Sequence, residues 1–303
     1  MKRALRFAVT GLLLALLLRA FDGADIANRL TAMDPVWMAV AVLCLWIQTF
    51  LMAMRWRLVA RALGIAFPPL FALQEYFVSQ LANATLPGGV VGDGARAVRS
   101  RIGETGLRRA ALAVMFERAF GQAGLLVVAV AGLMSLALVP GALDWPDRLA
   151  RGLAIAGLVA ICLCLIVAIW LRGGRIASLL SLCLPDGRRR VMHLALAVGA
   201  ALLNVAAFAA AARATGVTLS VQAALVLVPL ILLAMLVPLT IGGWGWREGA
   251  AAALFPVAGA SAAAGVAAGI AFGIAMLISV LPGLAILSLG PPATRDVTAA
   301  DRN

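Results

Sequence analysis

The chain has 303 residues, 64% of them hydrophobic, a mean hydropathy of +1.04 and a formal net charge of +12. Soluble domains are roughly half apolar, whereas runs 36–54, 152–171 and 191–212 carry no formal charge and are long enough to cross a bilayer core of about 30 Å as helix. A soluble globular domain is therefore excluded, and a barrel would need short alternating strands that are not seen.

Taken in chain order, hydrophobic segments fall at roughly 4–20, 36–54, 66–86, 110–139, 152–171, 191–212, 219–240 and 262–289. The first, in MKRALRFAVTGLLLALLLRAF, imitates a secretory signal, but Arg19 interrupts it and no small-x-small cleavage site follows, so it reads as a retained span. Arginine placement sets orientation. Lys2, Arg3 and Arg6 put the N-terminus in the cytoplasm. Loop 21–35, with Asp22, Asp25 and Asp34, reads as external, and Arg55, Arg57 and Arg61 return the chain inside. The third segment is followed by Arg96, Arg99, Arg101, Arg108 and Arg109, again a cytoplasmic pattern. Segment 66–86, which holds Pro68, Pro69, Glu75, Gln80 and Asn83, is therefore predicted to be a re-entrant hairpin. Broken backbone at membrane depth is tolerated only where protein or a wet cavity covers it.

Segment 110–139 then runs outward, loop 140–150 is external, 152–171 runs inward, 172–190 is cytoplasmic and 191–212 runs outward. Pro229 and Pro238 make 219–240 a second re-entrant hairpin, from outside. Segment 262–289 brings the C-terminus inside, followed by a short cytoplasmic tail, 291–303. The expected fold is an all-α polytopic membrane protein, a single domain over 1–290, with about six full spans and two re-entrant broken helices. Its halves, about 1–139 and 152–289, have similar element order but start on opposite sides. That is an inverted repeat, a transporter pattern with the site between repeats.

The basic excess fits loops facing anionic lipid, not nucleic acid, since no aromatic–basic motif is present. Cys44, Cys162, Cys164 and Cys183 lack a paired histidine and read as packing residues; no metal and no cofactor are expected. His193 reads as an interfacial anchor. Gly265, Gly269 and Gly273 make a small-residue face for close helix packing.

A charge near the bilayer centre costs at least ~2.5 kcal/mol, which makes intramembrane charges functional candidates. The first glycine-rich knot holds Gly92, Asp93 and Arg96, with Asp93 and Arg96 spaced to pair on one helical turn. The second holds Gly242, Gly243, Gly245, Arg247 and Glu248. Its glycines can turn with positive φ and expose N–H groups as an anion nest. Arg247 can fork onto a phosphate, and Glu248 either orients it or exchanges with the ligand. These eight residues are the expected lipid-phosphate site. The alternative for each knot is structural: a tight interfacial turn, or a loop beside a basic cluster. Four further polar groups are expected inside the membrane: Glu75, Asn83, Glu117 and Arg118. Neighbours on a helix point about 100° apart, so Glu117 and Arg118 each need another partner. Glu75 is either a proton carrier or a hydrogen-bonding group within its hairpin.

The stretches NATLPGGVVGDGARAVR, FERAFGQAGLL and VPLTIGGWGWREGAA resemble three motifs of the lysylphosphatidylglycerol synthase transmembrane-domain family, also called UPF0104 or flippase-like. The resemblance spans roughly 10–290 and implies an integral lipid flippase of the bacterial plasma membrane. Asn83, Pro87, Gly88, Gly92, Asp93 and Arg96 match the first motif, Asp93 standing where Glu is common. Glu117 and Arg118 match the second, with Gly121 and Gln122 where an acid often follows. Gly242, Gly243, Gly245, Arg247 and Glu248 match the third. Nothing resembles the aminoacyl-transferase domain of full-length synthases, so the chain is not expected to be an enzyme. The implied partner is a membrane phospholipid or isoprenoid lipid, with lipid-biosynthesis enzymes as possible neighbours. On this reading Arg96 serves the cytoplasmic face and Arg247 the external one. Two rivals stand beside it: a membrane transferase acting on a polyprenyl phosphate, and a non-catalytic scaffold.

Overall fold

The computed structural model describes residues 2–86, 89–101, 106–138, 178, 181–184, 186–235, 240 and 242–290. Segment 152–171, loop 140–150, Pro87, Gly88, Pro238, Cys162, Cys164 and the tail 291–303 lie outside the described residues. Among the described residues the protein is helical throughout. Helices α1 (Lys2–Ala20), α2 (Gly23–Thr31), α3 (Pro35–Ala62), α4 (Pro69–Thr85), α5 (Val91–Arg99) and α6 (Gly106–Leu138) come first. Then follow α7 (Gly187–Ala214), α8 (Val221–Ala234), α9 (Trp246–Leu254), a 3₁₀ turn (Phe255–Ala258), α10 (Ala262–Ser279) and α11 (Leu281–Ser288). Among the described residues, four helices are long and apolar enough to cross a membrane: Pro35–Ala62, Gly106–Ser135, Gly187–Ala214 and Ala262–Ser288. Two shorter apolar helices are Ala8–Ala20 and Val221–Ala234.

One succession occurs twice: long, short, short, long, as α3–α4–α5–α6 and as α7–α8–α9–α10. The short pairs have 17 and 9 residues in one case and 14 and 9 in the other. The long helices α3 and α7 run antiparallel, because the Asp34 amide donates to the Ala214 carbonyl at 3.0 Å while Gly199 packs on Leu51. Helices α6 and α7 run parallel, with Phe120 on His193 and Gly124 on Ala197. These relative directions are those that the arginine placement assigns.

Each half clasps the other. Gly132 of α6 faces the Leu225 carbonyl of α8, and Gly283 of α11 faces the Phe77 carbonyl of α4. A Cβ at either glycine would lie within 2.6 Å of that oxygen. The main core is rich in small residues from α3, α7, α8 and α10, such as Ala207, Ala211, Ala268 and Ala271. Small side chains let membrane helices approach closely where lipid supplies no hydrophobic drive.

Three local expectations change. Loop 21–35 contains a helix, α2. Asp22 caps it by accepting from the amides of Ala24 and Asp25, and the Asp25–Arg29 pair braces it. Segment 66–86 is not itself a hairpin: α4 is continuous, and the return arm is α5. Segment 219–240 does not break at Pro229, which α8 carries in its interior. Proline there leaves the Leu225 carbonyl without its helical donor, and that carbonyl is the one packed against Gly132. The return arm is α9.

Candidate functional site

The first knot is built by close approach of α5 to α4. A Cβ on Gly92 would fall 2.0 Å from the Ser79 carbonyl oxygen, so only glycine permits this packing. The Gly92 amide, one of the unsatisfied donors at a helix start, donates to Asn83 Oδ1 at 2.8 Å. Asp93 then accepts from Ser79 Oγ at 3.2 Å and from Arg96 Nη2 at 3.1 Å. The expected pairing of Asp93 and Arg96 on one turn is present.

Arg96 is fully buried, its guanidinium carbon 4.6 Å from the Trp56 ring centre and 4.3 Å from that of Tyr76. Cation–π contacts of this kind strengthen when desolvated. Its Nη2 also meets Glu117 Oε2 at 3.3 Å. Glu117 Oε1 accepts from Arg55 Nη2 at 2.6 Å. Arg118, on the next face of α6, pairs with Asp93. Thus Glu117 and Arg118 do not pair with each other, and their partners come from α3 and α5. Glu75 lies alongside, held by Arg99 Nε at 2.7 and 3.0 Å.

Arg55 is the residue that sequence reasoning missed. In the sequence it reads as a cytoplasmic marker, yet it is buried against Glu117. Gly121 makes room for it, since a Cβ there would lie 2.8 Å from Arg55 Nη2. A usable signal existed: Glu117 is a buried acid with no cation on its own face of α6. His193 is likewise buried against Phe120 rather than anchored at a surface.

The second knot turns on Gly242, Gly243 and Gly245, at φ +58°, +76° and +89°, a region that costs side-chain-bearing residues roughly 1–2 kcal/mol. Helix α9 begins immediately after. Glu248 reaches back to accept from the Gly245 amide at 2.6 Å, closing the helix start. Its other oxygen accepts from Arg247 Nε at 3.0 Å. The Gly245 amide of the expected anion nest is thus taken by the protein's own carboxylate. Arg247 is buried over Trp244, at 4.7 Å, and beside Phe272. The small-residue face of α10 admits this arrangement. Gly265 meets the Ala251 carbonyl, Gly269 meets Glu248, and a Cβ on Gly273 would lie 2.3 Å from Arg247 Nη2.

The two knots do not sit at opposite faces. Gly242 packs against the Ala84 carbonyl at the end of α4, so the tips of both hairpins meet and border one cavity of about 440 Å³. Asn83, Asp93, Arg118, Gly242, Gly243 and Arg247 all line it; Arg96 and Glu248 stand behind. A smaller chamber of about 100 Å³, bounded by Arg55, Glu117, Gly121 and Asn204, opens beside it and shares Arg118 and Gln122. Arg118 has 45% of its side chain exposed, whereas Arg55, Arg96 and Arg247 have at most 1%. Among the described residues that line the cavity, Arg118 is therefore the cation most open to a ligand. Around it, four arginines (Arg55, Arg96, Arg118, Arg247) face three carboxylates (Asp93, Glu117, Glu248), a net charge of 4 − 3 = +1.

Long spans, two helical hairpins with touching tips and an internal cavity bordered by a net-positive cluster of charged side chains define a multi-pass α-helical membrane protein. The chain belongs to the lysylphosphatidylglycerol synthase TM region family, whose model matches residues 3–283. That membership makes it a lipid-related membrane domain. No curated protein and no solved structure matches the chain.

Proposed function

We propose that the protein is a lipid transporter that moves an anionic lipid between leaflets, its headgroup passing through the cavity while the acyl chains stay in the bilayer. The observation that carries this reading is the convergence of both hairpin tips on one cavity where, among the described residues that line it, Arg118 is the exposed cation. A phosphate entering there would displace Asp93 from Arg118, and Asp93 would keep Ser79 and Arg96 as partners. Asp93, which lines the cavity, and Glu117, which lines the chamber beside it, are both committed to guanidinium groups, which favours binding over general-base chemistry and so a transporter over a transferase.

The doubled element order supports an inverted repeat, with the cavity between halves as in other transporters with discontinuous helices. The arginine-rich loops support a bacterial plasma-membrane location with both termini cytoplasmic. Lipid-biosynthesis enzymes would be the natural neighbours. The test is reconstitution in vesicles containing a fluorescent phosphatidylglycerol, with dithionite quenching of the outer leaflet. Protein-dependent movement that falls at least about tenfold in Arg118→Ala is expected. Equal rates in protein-containing and empty vesicles would refute the proposal.

A further inference from the structure

We infer that the cavity selects a phosphate lipid whose headgroup is an uncharged polyol, and disfavours a headgroup bearing an ammonium. This deepens the transporter reading and rests on it for the identity of the ligand as a lipid.

The cavity has room for more than a phosphate. At about 440 Å³ it falls in the roughly 300–1,000 Å³ range of small-molecule sites. Beyond the ion-paired Asp93, Arg118 and Arg247, its polar lining is neutral and includes amides and hydroxyls such as Gln48, Gln80, Asn83, Gln122, Asn204 and Thr240. Much of this hydrogen-bonding capacity is unspent. Thr240 Oγ1 is buried with no partner. The amides of Gln122 and Asn204 are engaged by no other described residue. Asn83 gives its oxygen to Gly92 and keeps its two N–H donors. Amide and hydroxyl groups both donate and accept, which suits hydroxyls of a glycerol, inositol or sugar.

The charges exclude the opposite headgroup. An ammonium needs a carboxylate that is not already neutralised. Asp93 is bound by Arg96 and Arg118, and Glu117 by Arg55 and Arg96. The cluster is left with one net positive charge, which balances one phosphodiester and repels a cation. Arg55 Nε and Nη1 are buried without partners beside the smaller chamber, adding to the positive potential there.

The test measures binding and movement separately on the purified full chain. Binding in detergent would use dioctanoyl phosphatidylglycerol, a ten-carbon prenyl phosphoryl hexose, dioctanoyl phosphatidic acid and dioctanoyl lysyl-phosphatidylglycerol. The polyol lipid, whether glycerol- or prenyl-based, should bind about tenfold more tightly than the lysyl lipid; the better of the two polyol ligands identifies the lipid class. Asn204→Leu should weaken the polyol ligands several-fold and leave phosphatidic acid unchanged. Asn204→Asp, which supplies a free carboxylate, should narrow or reverse the preference against the lysyl lipid. Equal or tighter lysyl-lipid binding by the unaltered protein, or an Asn204→Asp variant with unchanged preference, overturns the inference. Selective binding without movement in vesicles would instead sink the transporter reading and leave the headgroup assignment standing.

Discussion

A Cβ on Gly242 would lie 3.6 Å from the carbonyl oxygen of Ala84, although the two residues belong to different halves of the chain. This contact joins the tips of the two hairpins. It brings the two glycine-rich knots together at the border of one cavity.

Glu117 is the hub of the first cluster, bonded to Arg55 and Arg96 with no exposure of any of the three. Removing one member of a buried ionic group strands its partners and costs about 3–5 kcal/mol. Glu117→Gln should therefore lower thermal stability and yield sharply in detergent. An apparent melting temperature within error of the parent would show that the cluster is solvated rather than buried.

Gly92 and Gly94 lie on the same short helix and make opposite forecasts. Gly92→Ala drives a methyl into the Ser79 carbonyl and should abolish correctly folded protein, as read by size-exclusion profile. Gly94 meets nothing within 4 Å, so Gly94→Ala should be tolerated or stabilise by about 0.5–1 kcal/mol, the usual helix-interior difference. Equal behaviour of the two variants would contradict the packing of α5 on α4.

Arg247 and Glu248 are coupled, because the carboxylate both closes the start of α9 and holds the guanidinium. Glu248→Gln and Arg247→Met should each destabilise by several kcal/mol, as expected for breaking a buried pair. The double variant should cost less than the sum. A thermal-denaturation cycle reads this directly, and strict additivity would mean that the two residues act independently.

The sequence was most informative where physics is local. Charge-free runs and arginine clusters placed α3, α6, α7 and α10. The 100° offset between neighbours on a helix foretold that Glu117 and Arg118 would look elsewhere for partners. The small-residue face at Gly265, Gly269 and Gly273 reads correctly as packing because its period is that of one helix. What was hidden depends on tertiary approach. Arg55 looks like a topology marker until α3 lies beside α6. The meeting of Ala84 with Gly242 joins positions far apart in the chain, and no local pattern encodes it. Pro229 was misread for a related reason: the carbonyl that it frees is accommodated by Gly132 of another helix, so the helix need not break.

The most direct test links the two tips reversibly. Ala84 and Thr240 both line the cavity, one from each hairpin. In a background with Cys44, Cys162, Cys164 and Cys183 replaced by serine or alanine, Ala84→Cys and Thr240→Cys would be bridged by a short bis-methanethiosulfonate, which forms a reducible disulfide with each thiol and releases methanesulfinate. The fluorescent-lipid assay would then be run before linking, after linking and after reduction. If the headgroup passes between the hairpins, movement stops on linking and returns on reduction. Efficient linking with an unchanged rate of lipid movement would contradict passage through this cavity.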